Sequence, residues 1–205
     1  MTTGAKIALG VVGAIVLVVL IFGAGIAGTY NSLVTLDQAT QSQWAQVENV
    51  YQRRADLIPN LVNTVKGAAN FEQSTLTAVV EARAKVGQVT QGAVENITRD
   101  PQAFARFQQA QDGLSSALSR LMVVVERYPE LKATQGFRDL QVQLEGTETR
   151  ISTERMRFNE KAQAFNTKRD SFPTVLIAGF FGSKFQEKPY FKAVTGADKP
   201  PEVKF

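Results

Sequence analysis

The chain has no cysteine and no histidine among its 205 residues. Thiolate nucleophiles, Cys/His zinc sites, histidine-ligated haem, the Glu-x-x-His di-iron motif of helix bundles and a Ser-His-Asp triad are all excluded. No lipoprotein-type attachment cysteine is available either. A strong charge of one sign is also missing, because 23 basic against 19 acidic residues leave a net charge of only +4. The basic residues are interleaved with acids rather than gathered in a run, so no nucleic-acid partner is expected. Nothing in the composition calls for a cofactor.

What is present is one long apolar run. Ile7 to Ala27 is 21 residues without a charge, and about 20 suffice to cross the hydrocarbon core of a bilayer. The run exceeds the 7 to 15 residues usual for a signal-peptide core. We therefore read it as a retained anchor, although Gly25-Ile26-Ala27 has the small-residue form of a cleavage site. Lys6 precedes the run, whereas the first basic residue after it is Arg53. That asymmetry predicts a single-pass protein of the cell membrane with a cytoplasmic N-terminus and the rest outside the cytoplasm. The expected divisions are a cytoplasmic segment 1–6, a transmembrane helix 7–27, a helical bundle 31–170, an aromatic and basic segment 171–193, and a disordered tail 194–205.

Residues 31–170 carry helical periodicity throughout. A first helix is expected over 31–69, entered through Asn31 or Ser32 as N-cap, with its seam at 33, 36, 40, 43, 47, 50, 54, 57, 61 and 65. A second is expected over 70–91. Asp100-Pro101 gives a strong start for a third, which Pro129 is expected to end after Tyr128. The fourth, over 135–170, places Phe137, Leu140, Leu144, Thr147, Ile151, Glu154, Phe158, Lys161 and Phe165 on steps of three and four. Short breaks between four such helices predict an all-α fold: an N-terminal transmembrane helix, then an elongated antiparallel up-down-up-down four-helix bundle.

The stretch Gln52 to Gly67, Q-R-R-A-D-L-I-P-N-L-V-N-T-V-K-G, sets paired arginines, a carboxylate and a proline inside that periodicity. Pro59 deprives the helix of one hydrogen bond, to the carbonyl of Ala55, at a cost of about 3 kcal/mol in isolation. Arg53 and Asp56 are spaced to pair along the surface. Arg54 falls on the buried seam, where a guanidinium needs a carboxylate partner. With helices one and four antiparallel and level, position 54 lies opposite 148, so Glu148 is the expected partner and Glu145 the next candidate. Lys66 should then approach Asp139 or the connection before it. Arg53, Arg54, Asp56, Pro59, Asn60 and Glu148 are thus candidates for a structural cluster or a partner-docking surface. Glu145 and Glu148 could in principle act as an acid-base pair, but carboxylates three apart on a helix beside arginine are more often ion-pair partners.

An even number of helices returns the chain to the anchor end after Asp170. The segment that follows reads F-P-T-V-L-I-A-G-F-F-G-S-K-F-Q-E-K-P-Y-F-K. Its apolar part is too short to span a bilayer. Phe180, Phe181, Lys184, Phe185, Lys188 and Phe191 suit a membrane interface, with rings at headgroup depth and amines toward phosphate. The competing expectation is that these aromatics cap the open bundle end or pair with a neighbouring subunit.

Several motifs together resemble the bacterial LemA family: Tyr30-Asn31-Ser32-Leu33-Val34, Trp44-Ala45-Gln46-Val47, Arg53 to Val62 (R-R-A-D-L-I-P-N-L-V), Val65-Lys66-Gly67, Glu81-Ala82-Arg83, Tyr128 to Ala133, Phe137, Thr147 to Ile151, Arg157-Phe158-Asn159 and Phe172-Pro173. The resemblance runs from Ile7 to about Phe185; Gln41 to Gln43 with Gln46 are more polar than that pattern. It implies a membrane anchor and a long antiparallel helical domain, and no catalytic residues. The expected function is a self-associating scaffold or adaptor of the cell envelope, held by lipid through its anchor and able to contact other envelope membrane proteins. The alternative is a lipid-organising or membrane-sensing protein acting through anchor and aromatic tail.

Overall fold

The computed structural model describes residues 3–67, 71–93, 97–182 and 184–192; the expected disordered tail 194–205 lies outside them. The fold is all-α, with no strand among the described residues. Its first helix, α1, runs without interruption from Thr3 to Lys66, 64 residues. Asn31 and Ser32 therefore do not begin a helix as the sequence suggested. No proline lies between the apolar run and the body, and the hydroxyls of Thr29 and Thr35 bond back to the carbonyls of Gly25 (2.9 Å) and Asn31 (3.0 Å) inside the continuing helix. Cap residues begin helices only where the preceding chain leaves helical geometry, and here it does not.

The remaining helices are α2 (Gln73–Ala93), α3 (Pro101–Val125), the single turn α4 (Pro129–Lys132), α5 (Gln135–Asp170) and α6 (Thr174–Phe180). Asp100 caps α3, its carboxylate accepting from the amides of Gln102 (2.8 Å) and Ala103 (3.2 Å), with Pro101 at the first position. Pro129 does not act as the stop expected after Tyr128. The α3 helix already ends at Val125, and the proline starts α4, where its missing N–H is no loss. Thr134 caps α5 through the amide of Phe137.

The buried seam of α1 lies partly one position over from the expected one. Leu33, Asp37, Thr40, Trp44, Val47, Tyr51, Arg54, Ile58, Leu61 and Val65 are buried, while positions 36, 43, 50 and 57 are only partly so. Two bulky rings, Trp44 and Tyr51, turn this face inward and draw Asp37 in with them. On α5 the exposed Lys161 gives way to buried Ala162. Contacts between the two long helices descend α5 as they ascend α1: Thr40 Oγ1 to the Lys161 carbonyl (3.4 Å), Gln43 Nε2 to Glu154 Oε2 (2.6 Å), Arg54 Nη1 to Glu148 Oε1 (2.7 Å).

Three apolar clusters line this body. The one furthest from the apolar run is largely aliphatic, with Ile58, Leu61, Val65, Leu76, Val79, Leu114, Leu118 and Leu121 around Phe137. A middle cluster is aromatic, with Trp44, Tyr51, Phe104, Phe107, Phe158 and Phe191. The third, beside the end of the run, holds Leu33, Phe165, Ala178 and Phe185. Each fully buried large side chain stabilises the fold by about 1.5–3 kcal/mol.

Candidate functional site

Charged and amide side chains on the inner faces of α1, α3 and α5 form the chemically distinctive part of the body. Arg54 is fully buried. Its Nη1 donates to Ser115 Oγ and Glu148 Oε1, both at 2.7 Å, and its Nη2 donates to the side-chain oxygen of Gln111 and, at 3.3 Å, to that residue's carbonyl. The guanidinium also sits 5.1 Å from the centre of the Tyr51 ring, a cation–π distance. The Glu148 side chain is 44% exposed, so water still solvates the acid and softens the ion pair. The basic partner bears the desolvation, and Gln111, Ser115 and Tyr51 offset it.

Pro59 and Asn60 are exposed, as is Arg53. Asp56 accepts from Gln52 Nε2 at 2.8 Å rather than pairing with Arg53. The carbonyl of Ala55, which Pro59 cannot reach with an N–H, is taken by Arg83 Nε of α2 at 3.0 Å. A sequence-imposed vacancy in one helix thus becomes a contact to the next. Lys66 forms no ion pair among the described residues, and Asp139 accepts from Gln135 Nε2 at 2.7 Å instead. Glu145 and Glu148 serve separate partners, Gln141 (2.9 Å) and Arg54. Among the described residues no acidic cluster is arranged to hold a metal ion.

Two further ionic groups escaped the sequence reading. Arg155 Nε donates to the Tyr51 hydroxyl at 2.5 Å and its Nη2 lies 3.2 Å from Asp112 Oδ1. Burial pushes the Tyr51 phenol above its ordinary range despite the opposing pull of Arg155. Nearer the apolar run, Asp37 meets Arg99 Nη2 (3.0 Å), Gln41 Nε2 (2.8 Å) and Lys188 Nζ (2.5 Å). The Lys188 contact is close but off the hydrogen-bond direction. Burial lowers the Lys188 amine from its ordinary value, and Asp37 partly restores it.

Lys188 belongs to a non-helical segment, 186–192, that lies along α5 and α3. Three amide side chains hold it by both backbone groups. Asn166 donates to the Lys188 carbonyl (2.9 Å) and accepts its N–H (2.8 Å). Asn159 does the same for Phe191 (3.0 and 2.9 Å), and Gln108 for Lys192 (2.9 and 3.4 Å). Each amide imitates one rung of a strand partner, satisfying backbone groups that a non-helical segment against a helix face would otherwise leave unpaired.

The assignment of Phe185, Lys188 and Phe191 to a membrane interface is therefore corrected. They are 1%, 0% and 7% exposed and inside the protein. Phe185 packs with Tyr30 and Phe165, Phe191 stacks with Trp44 and packs tilted against Phe104, and Lys188 pairs with Asp37. Phe180 is 84% exposed, Phe181 partly exposed and Lys184 exposed. The missed partners left traces in the sequence. Gln111 occupies the seam of α3 between Phe107 and Leu114, and Asn159 and Asn166 each follow a buried phenylalanine, seven residues apart.

These features define a class: an all-helical protein whose first helix is long and apolar enough to cross a membrane, with its polar core spent on internal contacts. The chain belongs to the LemA family, whose model matches residues 43–205. It is 30% identical over 192 residues to magnetosome protein MamQ 2 of Paramagnetospirillum magneticum, covering 85% of this chain and 71% of that one. It is 29% identical over 178 residues to magnetosome protein MamQ of Magnetospirillum gryphiswaldense (78% and 65%) and 24% identical over 151 residues to protein LemA of Metamycoplasma hominis (74% and 64%). The family match includes the clamped segment 186–192, so that segment is part of the family domain.

Proposed function

We propose that this chain is a membrane-anchored helical scaffold of the cell envelope, single-pass, with a cytoplasmic N-terminus and its body outside. In this reading α1, α2, α3 and α5 form an up-down-up-down antiparallel bundle, and its outer faces dock copies of the same chain or other envelope membrane proteins. The observation that supports it most is the continuity of α1 from Thr3 to Lys66. A membrane-crossing segment that runs unbroken into the body fixes the body's height and tilt at the bilayer. Catalysis needs no place in this account, because Arg54, Asp37, Arg155 and Lys188 each have an internal structural partner.

Val142 and Met156 on α5 and Val123 on α3 are 67%, 57% and 70% exposed, and apolar side chains left in water are the ordinary anchors of protein contacts. A photo-crosslinker at Val142, activated in native membranes, is expected to give adducts of twice the chain mass or with a co-purifying envelope protein. Monomer alone at Val142, Met156 and Val123 would contradict the scaffold.

A further inference from the structure

Short helix α6 turns large apolar side chains outward. Thr174 and Ala178 are buried at 2% and 4%, while Leu176 and Phe180, one turn apart on the helix, are 67% and 84% exposed, and Phe172, in the turn just before it, is 80% exposed. Val175, on the flank of the helix, is 41% exposed. Two large apolar side chains on one exposed side of a helix with no charged residue, with a third exposed at its entrance, are not what a surface facing water requires.

The position of α6 supplies the occupant. Its C-terminal end packs on Tyr30, whose ring centre lies 5.0 Å from that of Phe181, and the Lys184 amine donates to the Tyr30 hydroxyl. Tyr30 is three residues beyond Ala27, the end of the apolar run, or about 4.5 Å along the helix. The headgroup layer extends about 5–7 Å beyond the hydrocarbon on each side. The exposed apolar side chains of the run itself include Phe22 at 68% and, four residues or about 6 Å before Tyr30, Ile26 at 49%, so the exposed apolar side of α6 continues the surface that lipid covers in that reading.

Resting on the membrane-anchored reading, we infer that Phe172, Leu176 and Phe180 form a foot that inserts into the bilayer leaflet where α1 emerges. The Tyr30–Lys184 contact marks headgroup depth. The body then meets the membrane at two points, the α1 shaft and the α6 foot, which fixes rotation about the shaft as well as height. The rest of the aromatic tail takes no part, because Phe185, Lys188 and Phe191 are packed inside.

The native chain lacks cysteine, so single-cysteine variants each carry one labelling site. Full-length protein with bimane at Leu17→Cys, Phe172→Cys, Leu176→Cys, Phe180→Cys or Val142→Cys is reconstituted in vesicles of phosphatidylcholine and phosphatidylglycerol with brominated acyl chains. All five positions are exposed in the protein, and each variant is required to keep the native helical melt. Leu17 reports the anchor alone. The expected result is bromolipid quenching at 176 and 180 several-fold above that at 142 and approaching that at 17, with iodide in the water quenching only 142. Quenching at 17 with 172, 176 and 180 behaving like 142 would overturn the foot and leave the anchor standing. No quenching at 17 would overturn both. Protection at α6 that is lost when protein is diluted in lipid would assign the face to a second copy and overturn the lipid contact.

Discussion

The two ends of the helical body are closed in different ways. Away from the apolar run, α2 and α3 lie against α1 and α5, and the core is aliphatic, with Leu76, Val79, Leu114 and Leu121 meeting Ile58, Leu61 and Val65. Toward the run, α3 has begun only at Pro101, and the tail covers what α2 does not, through Phe185, Lys188 and Phe191. A helix brings its own backbone hydrogen bonds and needs only an apolar stripe. A non-helical strap does not, so the second region needs Asn166, Asn159 and Gln108 to complete the backbone pairing and flat aromatic rings to fill the space. The difference shows why one family domain has an aliphatic end and an aromatic, amide-rich end.

Four measurements would break or sharpen that contrast. The largest expected effect is Phe158→Ala, which removes the ring that touches Trp44, Phe104 and Phe191. It should cost about 3–5 kcal/mol by denaturant unfolding of the detergent-solubilised chain, and should release the Phe191 amide to hydrogen exchange while α2 amides keep their protection. Glu148→Ala leaves the Arg54 guanidinium buried with only neutral partners. Loss of one partner of a buried pair costs about 3–5 kcal/mol, and the exposure of Glu148 reduces this to about 2; Glu145→Ala, whose acid faces Gln141, should shift the unfolding midpoint far less. Asn166→Ala removes a two-way clamp and should cost about 1–3 kcal/mol, seen as faster exchange at Lys188 with the aliphatic end unchanged.

The smallest effect is a pH dependence. Lys188 has its folded-state pKa lowered by burial. Between that value and the ordinary lysine pKa of about 10.4, the unfolded chain binds more protons than the folded one, so this group's contribution to stability rises with pH. Lys188→Met should remove that alkaline gain relative to the parent, compared pairwise by urea midpoints at successive pH values. An identical pH profile in the two chains would show that the amine is not held in a desolvated site.

Local signals in the sequence carried much of this. The apolar run, the Asp100-Pro101 start, the bounds of α5 at Gln135 and Asp170, and the Arg54–Glu148 contact follow from cap chemistry and helical spacing. Two features were not legible for physical reasons. Asn31 and Ser32 have cap chemistry but sit within α1, because their N-terminal neighbours are already helical. The tail carries aromatic rings and lysines, a composition that suits lipid and protein interior equally. Only the distant Asp37 and Asn166 decide that Lys188 goes inside, and no periodicity links those residues to the tail. The seam of α1 is an intermediate case, since Leu36 and Asp37 are adjacent and only the inward turn of Trp44 and Tyr51 selects the acid.

The central claim is that the apolar run and the body are one continuous helix. Spin labels at Leu17→Cys and Asn49→Cys in reconstituted vesicles test it directly, since 32 residues of unbroken helix separate the two backbones by about 48 Å. A single narrow distance distribution centred near that length is expected. A broad or markedly shorter distribution would place a hinge between the apolar run and the body and contradict that continuity.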